Sequence, residues 1–363
     1  MTPASPLLLE KRNIKLLYLR LTDSAPLVVA QEQGFFARFG LTVELQRETS
    51  WATLRDRLIS GAADAAAMLA PMPLTLDQAL PHCEEQLLTG LILSCNGNAI
   101  TLSSQLFEAL GLNHENCNSR TTGSALRSFL QSRPASAPPL KLATVYPYSS
   151  HTLQLRHWLR LADIDPDHDL QLHILPPEQM VTSLQRGDID GYCVGEPWNT
   201  IAARQGLGVI VAACNALLPA MPEKVLAVTS GWHETHPQTH LALRASLLQA
   251  CTWLADRTQR RDAVALMAQQ HYLDLDTDHL APSLNDQLHW QSGLPPAANP
   301  GWHLFAHTGS DCGRPTRAKA EQLLELCNRF SPLQTQAGDS FREELYQQTL
   351  DYISSNRARS PHT

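Results

Sequence analysis

The sequence predicts an α/β fold built as two similar lobes, and three observations carry that prediction. First, short apolar runs alternate with amphipathic helical stretches, the pattern of βαβ units with mostly parallel strands. Second, one skeleton occurs twice, as SWATLRDRLISGAADAAAMLAPMP at 50–73 and PPEQMVTSLQRGDIDGYCVGEPWN at 176–199. In each copy ten residues lead from a first helical position (Trp51, Pro177) to a glycine (Gly61, Gly187). An aspartate follows three residues later (Asp64, Asp190) and a proline seven after that (Pro71, Pro197). Third, 363 residues are too many for one ordinary core and suit two domains or one large one.

Taken in order, IKLLYLRL (14–21) reads as a first strand and SAPLVVAQEQGFFARFG as a helix capped by Ser24 and ended by Gly40. LTVELQRE (41–48) alternates as a second strand. The helix 51–60 puts Trp51, Leu54 and Leu58 on one face, stops at Gly61, and leads into the buried strand DAAAMLA. LLTGLILS (87–94) and AITLSS (99–104) are further strands. Residues 113–139, rich in Asn, Ser, Pro and Gly, read as a crossover or linker. A second series follows: strand KLATVYP, helix SSHTLQLRHWLRLADI, strand LQLHILP, helix EQMVTSLQRG and strand DIDGYCVGEP. After KVLAVTSGWHETHP the chain turns helical, through PQTHLALRASLLQACTWLADR, TRAKAEQLLELCNRF and FREELYQQTLDYISS.

Each copy of the repeat is thus a helix, a glycine stop and a parallel strand whose carboxyl end breaks at proline. Ligands of open α/β sheets bind at the carboxyl ends of strands. Two such edges facing each other imply a cleft that closes about a hinge. The competing explanation is coincidence, because G-x-x-D is a common spacing.

Composition narrows the function classes. A hydrophobic share of 43% and a charged share of 17% are those of a globular protein. A net charge of -7 and the lack of a Lys/Arg cluster argue against a nucleic-acid face. MTPASPLLLEKRNIKLLYLRL has three leucines before Glu10 and its positive charges after them, unlike a secretory signal. With no run near 18 apolar residues, no membrane span is expected, and the sequence places the protein in the cytoplasm. The eight cysteines (83, 95, 117, 193, 214, 251, 312, 327) contain no CxxC and read as buried free thiols rather than disulfides or zinc ligands. Neither metal nor cofactor is expected.

The chain resembles the nitrate- and bicarbonate-binding branch of type II ABC-transporter solute receptors. The likeness lies in TDSAPLVVAQEQGFFARFGL, SWATLRDRLISGAADAAAMLAPMP, LSCNGNAITLS, YPYSSHTLQLRHWL, PPEQMVTSLQRGDIDGYCVGEPWN and MPEKVLAVT, in order from 21 to 229. It implies a two-lobed periplasmic-binding-protein-like type II fold with the ligand between the lobes. Lobe 1 would take 12–110 plus 225–356, lobe 2 would take 111–224, and 357–363 would be a flexible tail. Without an export signal, such a receptor looks like the NasS-type nitrate/nitrite sensor, which holds a NasT-type RNA-binding antiterminator and releases it on nitrate binding. No direct nucleic-acid contact by this chain follows from that reading. The alternatives are the solute receptor of a nitrate or bicarbonate transporter and, third, an enzyme on the same fold. For catalysis His151 with Glu196 is the one acid–base pair the sequence offers, and no catalytic residue is assigned.

A small oxyanion needs donors around it and few acceptors. Lys224 stands just before VLAV and is either a solvated lysine at a strand mouth or a buried charge needing a partner. The resemblance implies a ligand-binding lysine there. His151 lies near a helix start, where backbone amides favour an anion; it is either a surface histidine or a ligand, and the resemblance, through a matching family histidine, implies a ligand. Trp51 is a core anchor at a helix N-terminus whose indole N–H could also face the cleft. Gly97 permits a tight path and Asn98 offers an amide, where nitrate receptors of this branch commonly carry glutamine. Gly195 supplies an amide, and Glu196 pairs with Lys224 or His151, or bonds across lobes, as a hinge or cleft wall. Receptors for bicarbonate use acidic residues and a metal, so Lys224 argues for nitrate or nitrite.

Overall fold

A computed structural model describes residues 7–113, 115, 117–330 and 340–357. The tail expected at 357–363 lies outside these residues except for Arg357, which ends a helix.

The main strands are β1 (Asn13–Leu19), β2 (Thr42–Glu48), β3 (Ala65–Leu69), β4 (Leu87–Asn96), β5 (Asn98–Ser103), β6 (Lys141–Thr144), β7 (Gln171–Ile174), β8 (Gly191–Gly195), β9 (Gly208–Ala213) and β10 (Pro222–Thr229). Shorter pieces follow as β11 (Gln287–Leu288), β12 (Ala297–Ala298) and β13 (His303–Phe305). The first sheet has the order β13-β4-β10-β3-β1-β2 and the second β7-β6-β8-β5-β9, while β11 pairs β12 alone. The result is a two-lobed α/β, periplasmic-binding-protein-like fold.

Strand direction corrects the mostly parallel expectation. β1 runs parallel to β2 and β3, and β6 parallel to β7 and β8. β10 is antiparallel to β3 and β4, and β5 antiparallel to β8 and β9. The cause is connectivity. β5 and β10 arrive from the other sheet, so each enters its own from the opposite end.

The same pairing moves the expected lobe division. The chain leaves the first sheet at Asn96, turns at Gly97 with φ 95, and is already in the second sheet at Asn98. It re-enters the first sheet at Pro222. A boundary at 110/111 would have left β5 in the wrong lobe.

The repeated skeleton has a physical cause. Gly61 and Gly187 end their helices in the left-handed region, at φ 72 and 73. Asp64 then accepts the backbone N–H of Lys15 at 2.9 Å and donates its own N–H to the Lys15 carbonyl at 3.0 Å. Asp190 accepts the N–H of Lys141 at 2.8 Å and donates to the Lys141 carbonyl at 2.7 Å. In both lobes the aspartate ties the start of one strand to the start of its parallel neighbour.

Two helical expectations change. The stretch 24–40 is broken at Gly34 (φ 67) into Ala25–Glu32 and Phe35–Arg38. The linker read at 113–139 contains the helix Ser119–Ser132, whose Asn118 accepts from Arg120 and Thr121 N–H in a capping box. Gly123 lets that helix approach Ser150–Leu161 closely, since a Cβ there would lie 2.9 Å from Ala162 Cβ.

One core lies between the first sheet and the helix Pro237–Ala255, and another behind the second sheet. A third runs along the seam, where Trp51 and Leu69 meet Tyr146, Tyr192 and Trp198. The helix Arg317–Asn328 adds Leu323 and Cys327 to the seam, and Glu343–Arg357 packs Leu345 and Tyr346 onto the first lobe. The eight cysteines are free thiols. Folding nevertheless brings Cys95 and Cys312 sulfurs to 3.2 Å and Cys193 and Cys214 to 3.8 Å, a proximity the sequence spacing did not suggest. Among the described residues no helix is long and apolar enough to cross a membrane.

Candidate functional site

Several element ends converge on the seam. Ser50 caps the helix Trp51–Ile59 by accepting the Thr53 N–H at 3.1 Å, which fixes Trp51 at its first position. Ser149 does the same for Ser150–Leu161 through Thr152 N–H at 3.1 Å, setting His151 in its first turn. Facing them is the start of β10, where Lys224 is opposite Leu69 of β3 and Ser94 of β4.

The register of β10 against β4 shifts between Pro222 and Lys224. Such a bulge can turn consecutive side chains toward one side of a strand. Here Glu223 and Lys224 share a site. The Lys224 ammonium donates to Glu223 Oε1 at 2.8 Å and stands 2.7 Å from Asp23 Oδ2, with its nitrogen 5.1 Å from the Trp51 ring centroid. All four side chains are buried.

Asn98 completes the lower wall. Its amide nitrogen donates to Gln154 Oε1 at 2.9 Å and Glu223 Oε2 at 2.6 Å. Gly195 is close by: a Cβ there would sit 3.3 Å from Asn98 Oδ1 and 3.7 Å from Asp23 Oδ2. His151 Nε2 is 3.6 Å from Glu223 Oε1, too far for a hydrogen bond.

The structure therefore brings together Trp51, Asn98, His151, Gly195 and Lys224. Gly97 contributes backbone only: it turns the chain just before Asn98, its carbonyl accepts the Glu196 N–H at 3.3 Å, and an added Cβ would clash with the His303 ring. Glu196 takes the last of its expected places, a bond across the lobes, and takes it through its backbone. It pairs with neither Lys224 nor His151: its Oε2 accepts the Thr200 N–H at 3.1 Å, four residues on. Its backbone carbonyl accepts from Thr22 N–H at 2.8 Å and Thr22 hydroxyl at 3.2 Å, the contact that crosses to the turn after β1.

Sequence reasoning missed Asp23, Glu223 and Gln154. The signal for Glu223 was its place beside Lys224, but strand alternation would send neighbouring side chains to opposite faces. Asp23 was visible in the TDS turn as an acid next to an apolar helix.

Charge at the site is set by burial and pairing. Burial opposes ionisation of Lys224, but Asp23 and Glu223 outweigh it and hold the ammonium above its ordinary range. Burial likewise raises Glu223, yet the attraction of Lys224 and then His151 leaves it below its usual value. Asp23 ends higher than normal, because burial and the Glu223 charge together exceed the pull of Lys224. His151 is driven down to about 4 by burial, so it is neutral near pH 7. Glu196 is driven up to about 7 by burial, against the Thr200 N–H.

Several buried polar atoms at this seam have no hydrogen-bond partner: both His151 ring nitrogens, Trp51 Nε1, Trp198 Nε1, Asn98 Oδ1 and Glu196 Oε1. An unsatisfied buried polar group costs about 1–3 kcal/mol, so a cluster of them marks where an exogenous polar partner would be stabilised. Among the described residues no three His, Cys, Asp or Glu side chains gather as a metal-binding group. Chemically the arrangement offers N–H donors and one buried cation, with two carboxylates already on that cation.

Comparison with known proteins bears on the family and the fold. The chain is 41% identical over 276 residues to the nitrate import ATP-binding protein NrtC of Synechocystis sp., covering 76% of this chain and 40% of that protein. It is 38% identical over 332 residues to the bicarbonate transport ATP-binding protein CmpC of Synechocystis sp., covering 90% of this chain and 47% of that one. It therefore spans less than half the length of these two relatives. The crystal structure of the periplasmic nitrate-binding protein NrtA from Synechocystis PCC 6803 superposes with a TM-score of 0.86 at 22% identity, over 98% of this chain and 92% of that one. The model of the NMT1-like family matches residues 8–268, and the chain belongs to that family.

Proposed function

We propose that this chain is a cytoplasmic nitrate/nitrite sensor that takes the anion at Lys224, holds a NasT-type RNA-binding antiterminator while ligand-free, and releases it when the lobes close on the ligand. The observation that carries the ligand class is one buried ammonium, beside the Trp51 ring, at a seam where the ring nitrogens of His151 and the indole nitrogens of Trp51 and Trp198 have no hydrogen-bond partner. Likeness to proteins named for nitrate import and nitrate binding supports it. Eight free cysteines suit a reducing compartment. The ligand shifts the partner equilibrium only by its differential affinity for the open and closed forms.

A second reading is the solute receptor of a bicarbonate or nitrate transporter. Asp23 and Glu223 favour bicarbonate, because either carboxylate could accept its O–H, and a bicarbonate transport protein is among the similar chains. Catalysis is not part of either reading. The acid–base pair offered by the sequence is divided, with Glu196 turned to Thr200 and His151 beside Glu223.

Calorimetric titration with nitrate, nitrite and bicarbonate separates the readings. The proposal expects saturable binding of nitrate or nitrite, and loss of a co-purifying antiterminator when that anion is added. Binding of bicarbonate alone would favour the receptor, and binding of none would remove the ligand assignment.

A further inference from the structure

The site is poorly balanced for an anion as it stands. Lys224 brings one positive charge, and Asp23 and Glu223, at 2.7 and 2.8 Å, bring two negative charges onto the same ammonium. Glu223 is further committed through Oε2 to Asn98, and its other oxygen faces His151 at 3.6 Å. Asp23 has Lys224 as its ionic partner and sits on the turn whose Thr22 bonds the Glu196 carbonyl. An incoming monovalent oxyanion must compete with these carboxylates for one cation in a buried place, where unlike charges attract and like charges repel with little screening.

We propose that the oxyanion enters together with one proton, which settles on Asp23, so that the anion replaces Asp23 as the counter-ion of Lys224. No bond other than O–H forms or breaks: the proton comes from solvent, the Asp23 carboxylate becomes a neutral carboxyl, and the anion keeps its charge. The charge around Lys224 is then the same before and after binding. This rests on the oxyanion reading above and names Asp23 as the residue that makes affinity depend on pH.

The other ionisable groups leave Asp23 as the acceptor. Lys224 and Glu223 face it from β10, Glu196 follows β8, His303 comes from β13 and reaches Thr22 at 3.2 Å, and His151 stands behind Glu223. Glu223 is held low by Lys224, while His303 and His151 are held neutral by burial, at about 3 and about 4. Glu196 lies nearer neutrality but is anchored to Thr200 rather than to the ammonium. Asp23 is the raised carboxylate that touches the ammonium itself, so an anion that takes its place at Lys224 leaves it without its stabilising partner and drives it to protonation.

The test is calorimetry of the full chain with nitrate and nitrite between pH 5 and 8, in buffers of different ionisation enthalpy. Expected are an uptake approaching one proton per anion within that range and an apparent affinity that falls with rising pH by up to about tenfold per unit. Asp23→Asn, a neutral isostere, should bind without proton uptake, with little pH dependence, and roughly tenfold or more tighter than the wild type at pH 7.5. A merely structural aspartate would instead give a weaker binder. Anion binding with no proton uptake at any pH overturns the inference, and so does uptake that persists undiminished in Asp23→Asn. Uptake persisting there but lost in Glu196→Gln assigns the proton to Glu196, against the proposal. If neither anion binds, the oxyanion reading itself falls, and this inference with it.

Discussion

The Lys224 ammonium stands 2.7 Å from Asp23 Oδ2, with both side chains buried, and this pair joins the turn after β1 to the first residues of β10. A charge taken this far from water needs its partner. Removing one member of a buried pair leaves the other uncompensated, at about 3–5 kcal/mol. Lys224→Ala should therefore lower stability by roughly that amount as well as abolish anion binding. Lys224→Met with Asp23→Asn and Glu223→Gln should recover most of the stability but none of the binding, read by urea unfolding and titration. Restored binding in the triple variant would contradict a role for the ammonium.

Glu196 gives a pH dependence with a definite sign. Its folded-state value of about 7 lies above the ordinary 4.5, so the folded protein holds a proton that the unfolded chain has lost. Its contribution is fully present below pH 4.5 and disappears as pH rises through 7. Glu196→Gln should thus be more stabilising at pH 8 than at pH 5, by on the order of 3 kcal/mol. Equal effects of the substitution at both pH values would refute the buried, partly protonated carboxyl.

His303 works in the opposite direction. Burial first, then Arg260 and Lys224, drive it down to about 3, so it contributes stability above its ordinary 6.5 that is lost as pH falls toward 3. His303→Gln should flatten the acid limb of a plot of unfolding midpoint against pH. An unchanged acid limb would show that the ring is not buried neutral.

The paired aspartates predict an order of effects. Asp64 holds the Lys15 N–H, the Lys11 ammonium at 2.7 Å and the Trp232 indole N–H at 2.9 Å, whereas Asp190 holds the Lys141 N–H. Hydrogen bonds to charged groups are worth about 1.5–3 kcal/mol. Asp64→Ala should destabilise more than Asp190→Ala, both by more than about 1 kcal/mol, in chemical unfolding. The reverse order would mean that the extra partners contribute nothing.

Gly97 marks the crossing between sheets. At φ 95, with His303 in the way of a Cβ, Gly97→Ala combines backbone strain with a clash. A loss of at least about 1–2 kcal/mol is expected. A neutral outcome would show that the crossing can relax.

The repeated skeleton was legible because its parts obey local rules: glycine at a left-handed helix end and an aspartate that reaches back to a strand N–H. Trp51, Asn98 and Gly195 were candidates by their places at element ends, whereas Lys224 and His151 were singled out chiefly by the family resemblance. What could not be read was long-range or irregular. The bulge that turns Glu223 beside Lys224 breaks strand alternation, and Asp23 joins them only when β1 and β10 lie in one sheet. The Ser119–Ser132 helix was hidden because its glycine, read as a breaker, is where it packs against Ala162. The antiparallel runs of β5 and β10 follow from chain crossings that no local pattern records.

The most direct test of the account is a crystal structure of the full chain grown with nitrate or nitrite, with the Lys224→Met variant grown alongside. The account predicts a planar anion within hydrogen-bond distance of the Lys224 ammonium and His151 Nε2, beside Trp51, in the wild type alone. An anion bound elsewhere in the molecule, or bound equally in the variant, would contradict it.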